Sequence, residues 1–81
     1  MATEKKTRKP SQYLVQMVAS NIRRFREALG VSQERLAAIS GLHRTYIGSV
    51  ERGERNITLS TLEVLAEALE VEVTELISPP Q

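Results

Sequence analysis

Cysteine, tryptophan and aspartate are all missing from this chain of 81 residues, and His43 is its single histidine. Without thiols there can be no disulfide and no thiolate metal site, and one histidine is a poor start for any other metal site. A lone histidine with no cysteine or aspartate also lacks the nucleophile, base and orienting group that hydrolytic catalysis assembles. The expectation is a protein that is not an enzyme and carries no cofactor. Aromatic residues are scarce, with only Tyr13, Phe25 and Tyr46. The core must therefore be aliphatic, and surface platforms for stacking unpaired RNA bases are few. No apolar run approaches the roughly 20 residues of a membrane span, and the charged start does not read as a signal peptide. These absences lead to the expectation of one cytoplasmic domain without membrane contact, large enough for a helical core.

A formal net charge of +1 conceals a strong asymmetry. All 11 Lys and Arg residues lie between Lys5 and Arg55, whereas five glutamates and no cation lie beyond Asn56. Residues 1–56 thus carry +6 and residues 57–81 carry −5. Solvated helix faces of differing charge would suffice to produce this. The functional alternative is that the first part meets a polyanion and the acidic end points away from it.

Hydrophobic spacing predicts five helices and no internal repeat. Residues 1–10 are polar and basic without an apolar period, and read as a disordered tail. The domain proper is expected over residues 11–78. Pro10-Ser11 marks a helix start, and Leu14, Val18, Ile22, Phe25 and Leu29 then form one helical stripe that Gly30 ends. Ser32 should cap a short second helix that turns Leu36, Ala37 and Ile39 inward and closes at Gly41. A third runs from about Arg44 to Arg52. Thr58 should cap a fourth with Leu59, Leu62, Leu65, Ala66 and Leu69 buried, and Leu76 and Ile77 belong to a short last helix before Pro79-Pro80. The fold class is all-α.

Two short helices joined by a tight glycine-containing turn occupy the middle of the chain, residues 33–52. Steep helix crossing over so short a connection needs a small residue at the contact, and Ala37 provides one. With Leu36, Leu42, Ile47 and Val50 assigned to the inner side, Arg44, Thr45, Ser49 and Arg52 are left pointing outward. An Arg and a Thr at the exposed start of a helix suit the major groove of double-stranded DNA. A guanidinium can fork onto guanine, and a Thr methyl or hydroxyl can meet other base edges. An ordinary helical hairpin with a solvated face is the plainer alternative, but Ala37, Gly41, Ile47 and Val50 all sit at helix-turn-helix offsets.

Those residues, with Ile22-Arg23-Arg24-Phe25-Arg26, Val31-Ser32-Gln33, Tyr46-Ile47-Gly48, Glu51-Arg52-Gly53 and Leu62 through Leu69, resemble the Cro/phage-repressor (Xre-type) helix-turn-helix family. Arg44-Thr45-Tyr46-Ile47 with Glu51-Arg52 and Arg55-Asn56 is further similar to the controller proteins of restriction–modification systems. The resemblance implies a five-helix, lambda-repressor-like domain that regulates transcription as a dimer on a palindromic operator. An antitoxin-type module that binds a protein as well as DNA is the alternative within the same fold.

By the same resemblance, Arg44 and Thr45 match base-reading positions, with Ser49 one turn further along. Gln33 matches a phosphate-binding residue that buttresses the recognition helix. Tyr46, Arg52, Arg55 and Asn56 match backbone or mixed contacts. His43 stands where Ser, Thr or Asp usually caps, as a DNA contact or simply as a weak exposed cap. Arg26 and Glu51 match an ion pair tying the first helix to the third. Val71, Val73 and Ile77 exceed what one terminal helix needs to close the core, so part of that set is expected at a two-fold interface. An activator of this size must touch RNA polymerase, and Glu34 on the outer face of the second helix is a candidate contact. One departure stands out: Glu70 occupies a position where the family usually has glycine, and a left-handed backbone there would cost about 1 kcal/mol.

Overall fold

The computed structural model describes residues 8–80. Of the basic tail, Lys5 and Lys6 lie outside the described residues, while Arg8 and Lys9 are exposed and belong to no helix. Among the described residues the order is α1 (Gln12–Leu29), α2 (Gln33–Ser40), α3 (Arg44–Glu51), α4 (Leu59–Leu69) and α5 (Val73–Leu76), with no strand.

Each boundary has a local cause. The hydroxyls of Ser11, Ser32 and Thr58 accept the backbone N–H groups of Leu14, Arg35 and Thr61, which would otherwise lack helical partners. Gly30 and Gly41 stop α1 and α2 at φ of 79° and 75°, the left-handed geometry that lets their N–H groups reach back to the last turn. Glu70 does the same for α4 with φ of 64° and is the only non-glycine residue at positive φ among those described. The turn after α4 therefore has the left-handed geometry that glycine favours and carries a side chain in it. Glu72 and Glu75 form a capping box that starts α5.

The core draws on every helix: Val18 and Ile22 from α1, Leu36 and Ala37 from α2, Ile47 and Val50 from α3, Leu62, Leu65, Ala66 and Leu69 from α4, and Leu76 from α5. Asn21 lies among these aliphatic groups, fully buried. Its Nδ2 donates to the carbonyls of Leu76 at 2.9 Å and Ser78 at 2.7 Å, and its Oδ1 accepts from Arg24. A buried amide is stable only with such partners, and here it ties the end of α5 to α1.

Several positions of the expected apolar faces are exposed, among them Leu14 and Leu29 at the two ends of the α1 stripe, Ile39 and Leu59. Ile39 is 42% exposed at the edge of a shallow groove that Leu29, Val31, Val64 and Ala68 also line, and Leu59, 79% exposed, lies on the first turn of α4. Leu59 instead borders an apolar groove with Leu14, Val18, Leu62, Val73 and Ile77. Val71 packs against the core rather than lining this groove. No helix among the described residues is long and apolar enough to cross a membrane.

Candidate nucleic-acid interface

The position of α3 is set by one carboxylate. Glu51 at its C-terminal end accepts from Arg26 Nε at 2.6 Å and Arg26 Nη2 at 3.1 Å. It also accepts from Gln33 Nε2 at 3.0 Å. The Arg26 and Glu51 side chains are only 13% and 4% exposed. Arg26 Nη1 additionally donates to the Val31 carbonyl at 2.9 Å, so one guanidinium spans α1, the α1–α2 connection and α3. The hydrogen bond to Glu51 pushes the Arg26 pKa further up, and the group stays charged. Gln33 thus joins α2 to α3 through Glu51, and its Oε1 lies beside Gly48. A Cβ at Gly48 would approach the flexible Arg52 Nη1 to 3.2 Å and Gln33 Oε1 only to 3.9 Å, an ordinary contact.

His43 is the N-cap residue of α3, but its side chain makes no capping hydrogen bond and is exposed. Arg44 and Thr45 follow as the first two helical residues, both exposed. Arg44 Nε meets the Glu34 carboxylate of α2 at 3.3 Å, with the two side chains 58% and 68% exposed. Arg52 Nε similarly meets Glu54 at 3.0 Å. That hydrogen bond raises the Arg52 pKa and holds the Glu54 carboxyl below its usual range. Asn56 is exposed in the loop before α4.

Ser49 does not point outward. It is 4% exposed, and its hydroxyl donates to the Tyr46 carbonyl at 2.7 Å. The same oxygen accepts from Arg55 Nε at 2.9 Å. Its place beside Val50 and one turn from Tyr46 turns it toward the body of the domain, so it cannot touch a base from there. Tyr46 is half-buried against the core, and the Arg55 guanidinium stands 5.4 Å from its ring centroid. The α2–turn–α3 unit therefore carries Arg44 and Thr45 at the start of its second helix, and the loop that follows carries Arg55 held against Ser49 and Tyr46.

The sequence matches the profile of the helix-turn-helix family over residues 22–76, which contain this unit and the helices that brace it. The chain belongs to that family. It is a DNA-binding transcriptional regulator of the Xre and controller-protein type. The control protein C.SmaI of Serratia marcescens is 59% identical over 63 residues, covering 78% of this chain and 75% of the relative. Among solved structures, a hypothetical transcription factor from Neisseria superimposes with a TM-score of 0.82 at 44% identity, covering 94% of this chain and 88% of that one. The restriction–modification controller protein C.Esp1396I, as a tetramer in complex with its natural 35 base-pair operator, superimposes with a TM-score of 0.72 at 35% identity. That match covers 82% of this chain and 97% of the controller protein.

Proposed function

We propose that this regulator acts as a homodimer on a palindromic operator, with the start of α3 in the major groove. The observation that carries the reading is the pairing of a clamped helix with an exposed N-terminal end. Arg26, Glu51 and Gln33 hold α3 against two other helices, while Arg44 and Thr45 stay accessible at its start. A base-reading side chain gains selectivity from a rigid platform, because little orientational freedom is lost on docking. Arg44 reads guanine O6 and N7, Thr45 meets a neighbouring base edge, and Arg52, Asn56 and the helix-2 end near Gln33 hold phosphates. The five glutamates beyond Asn56 keep the far end of the domain away from the duplex.

The apolar groove beside Val73 and Ile77 supports the two-fold contact, since Leu14, Leu59 and Ile77 expose apolar surface along it. A dimer formed there would set two α3 helices about 34 Å apart, one turn of the duplex. The operator can be selected by the purified protein from a random duplex pool. Arg44→Ala should then reduce operator affinity and relax preference at one base pair per half-site, with a smaller loss on scrambled duplex. Equal losses on both duplexes at two salt concentrations would make Arg44 a phosphate clamp only. Sedimentation as a monomer with and without operator would refute the dimer.

A further inference from the structure

We propose that Ser49 is a positioning residue for base recognition: its buried hydroxyl holds Arg55 so that the guanidinium reads a guanine edge from the loop that follows α3. The proposal rests on the docking reading above and goes beyond it by giving the loop cation a defined geometry.

Three observations converge on Arg55. Nε is bonded to Ser49 Oγ at 2.9 Å. The guanidinium stands over Tyr46, at 5.4 Å from the ring centroid. Ser49 itself cannot swing away, because it is 4% exposed and donates its own proton to the Tyr46 carbonyl at 2.7 Å. With its proton committed to that carbonyl, the hydroxyl oxygen can meet Arg55 only as an acceptor, which is the role a guanidinium donor requires. Every contact in this set comes from α3, so Arg55 moves with the recognition helix although it lies outside it. The two Nη groups have no hydrogen-bond partner among the described residues. They form the end-on fork that meets O6 and N7 of guanine.

Arg55 differs in this respect from Arg44 and Arg52, whose Nε atoms face exposed carboxylates that move with their own long side chains. An arginine restrained at Nε and at its face loses little rotamer freedom on binding, and arginine otherwise carries a large side-chain entropy. The restraint favours a contact of strict geometry, a base edge, over a phosphate that any nearby cation satisfies.

The test compares wild type, Ser49→Ala, Arg55→Ala and the double variant on the selected operator, on its single-base-pair substitutions and on scrambled duplex. Ser49→Ala should lower operator affinity about 3- to 10-fold, the net worth of a typical hydrogen bond, and leave scrambled duplex nearly unchanged. The loss should fall at the base pair whose preference Arg55→Ala abolishes. Adding Ser49→Ala to Arg55→Ala should change nothing further, an outcome that a general loosening of the helix would not produce. Arg55→Lys provides a variant with Ser49 untouched: it keeps the charge but has no fork, so scrambled-duplex affinity should stay and the base preference should weaken. Equal losses on operator and scrambled duplex, an additive double variant, or a base preference undiminished in Arg55→Lys would each overturn the proposal. A wild-type protein that fails to distinguish operator from scrambled duplex would overturn the docking reading and this proposal together. Discrimination in wild type that Ser49→Ala leaves intact would overturn the positioning role alone.

Discussion

Replacing Glu51 by alanine should be among the most damaging single changes to this domain. The substitution removes the acceptor of two Arg26 bonds and one Gln33 bond. Arg26 would keep only the Val31 carbonyl as a partner while remaining largely enclosed. Removing one partner of a buried pair costs roughly 3–5 kcal/mol, whereas an exposed pair is worth about 0–1. The observed burial places this pair in the first class. A domain of this size has a total stability of order 4–12 kcal/mol, so the variant should be marginal at growth temperature. At roughly 4–8 °C per kcal/mol the midpoint should fall by on the order of 15–30 °C. Thermal and urea unfolding followed by circular dichroism would measure it. The sharper test is the cycle with Arg26→Met: the double variant Arg26→Met/Glu51→Met should be more stable than Glu51→Ala, since it leaves no stranded charge. An unchanged midpoint for Glu51→Ala, or strictly additive single changes, would refute the view that a buried charge pair anchors the recognition helix.

Glu70→Gly should raise stability by roughly 0.5–1 kcal/mol, because relief of the left-handed strain exceeds the added freedom of the unfolded chain; an unchanged or lower melting midpoint would argue against strain at this turn. Glu54→Gln should free Arg52, strengthen binding to scrambled duplex and steepen its salt dependence by about one phosphate equivalent. Because Arg52 lowers the Glu54 pKa, the pair is present at neutral pH and is lost on acidification at a lower pH than that at which an isolated glutamate protonates. Ile77→Glu should shift the protein to a monomer in sedimentation with helix content intact, and a persistent dimer would move the interface off the apolar groove.

Local signals in the sequence carried the helix boundaries well. Ser11, Ser32, Thr58, Gly30 and Gly41 act through their own side chains or backbone, and all five stand where their chemistry predicts. Coverage was harder to read. The apolar period placed Ile39 and Leu59 on inward faces, but periodicity does not tell whether another helix extends far enough to bury them. Ser49 shows that register outweighs polarity: a hydroxyl side chain suggests the outer face, yet its position on α3 is the inner one. It lies one turn after Tyr46 and next to Val50, on the side of α3 that meets the core. Asn21 carried a signal that went unused: it falls on the same helical stripe as Val18, Ile22 and Phe25, and a lone amide in an apolar stripe implies a buried hydrogen-bond partner. No spacing rule links Ser49 to Arg55, since that bond depends on how the loop leaves α3.

The charged groups of this domain divide by burial, and the division explains how one surface can be both firm and exchangeable. Arg26 and Glu51 sit where water does not compete, so breaking their contact would strand a charge and release α3. Arg44 with Glu34 and Arg52 with Glu54 sit in solvent, where a pair is worth about 0–1 kcal/mol and dissociates readily. Under the proposed docking, a duplex meeting Arg44 at the start of α3 and Arg52 at its end displaces both carboxylates at little cost and offers base edges or phosphates in their place. Until it does, the carboxylates partly neutralise the cations and weaken attraction to arbitrary polyanions. Arg55 follows neither pattern, being restrained by a neutral hydroxyl and an aromatic ring. It exchanges no direct ion-pair partner on docking, which suits a contact of strict geometry.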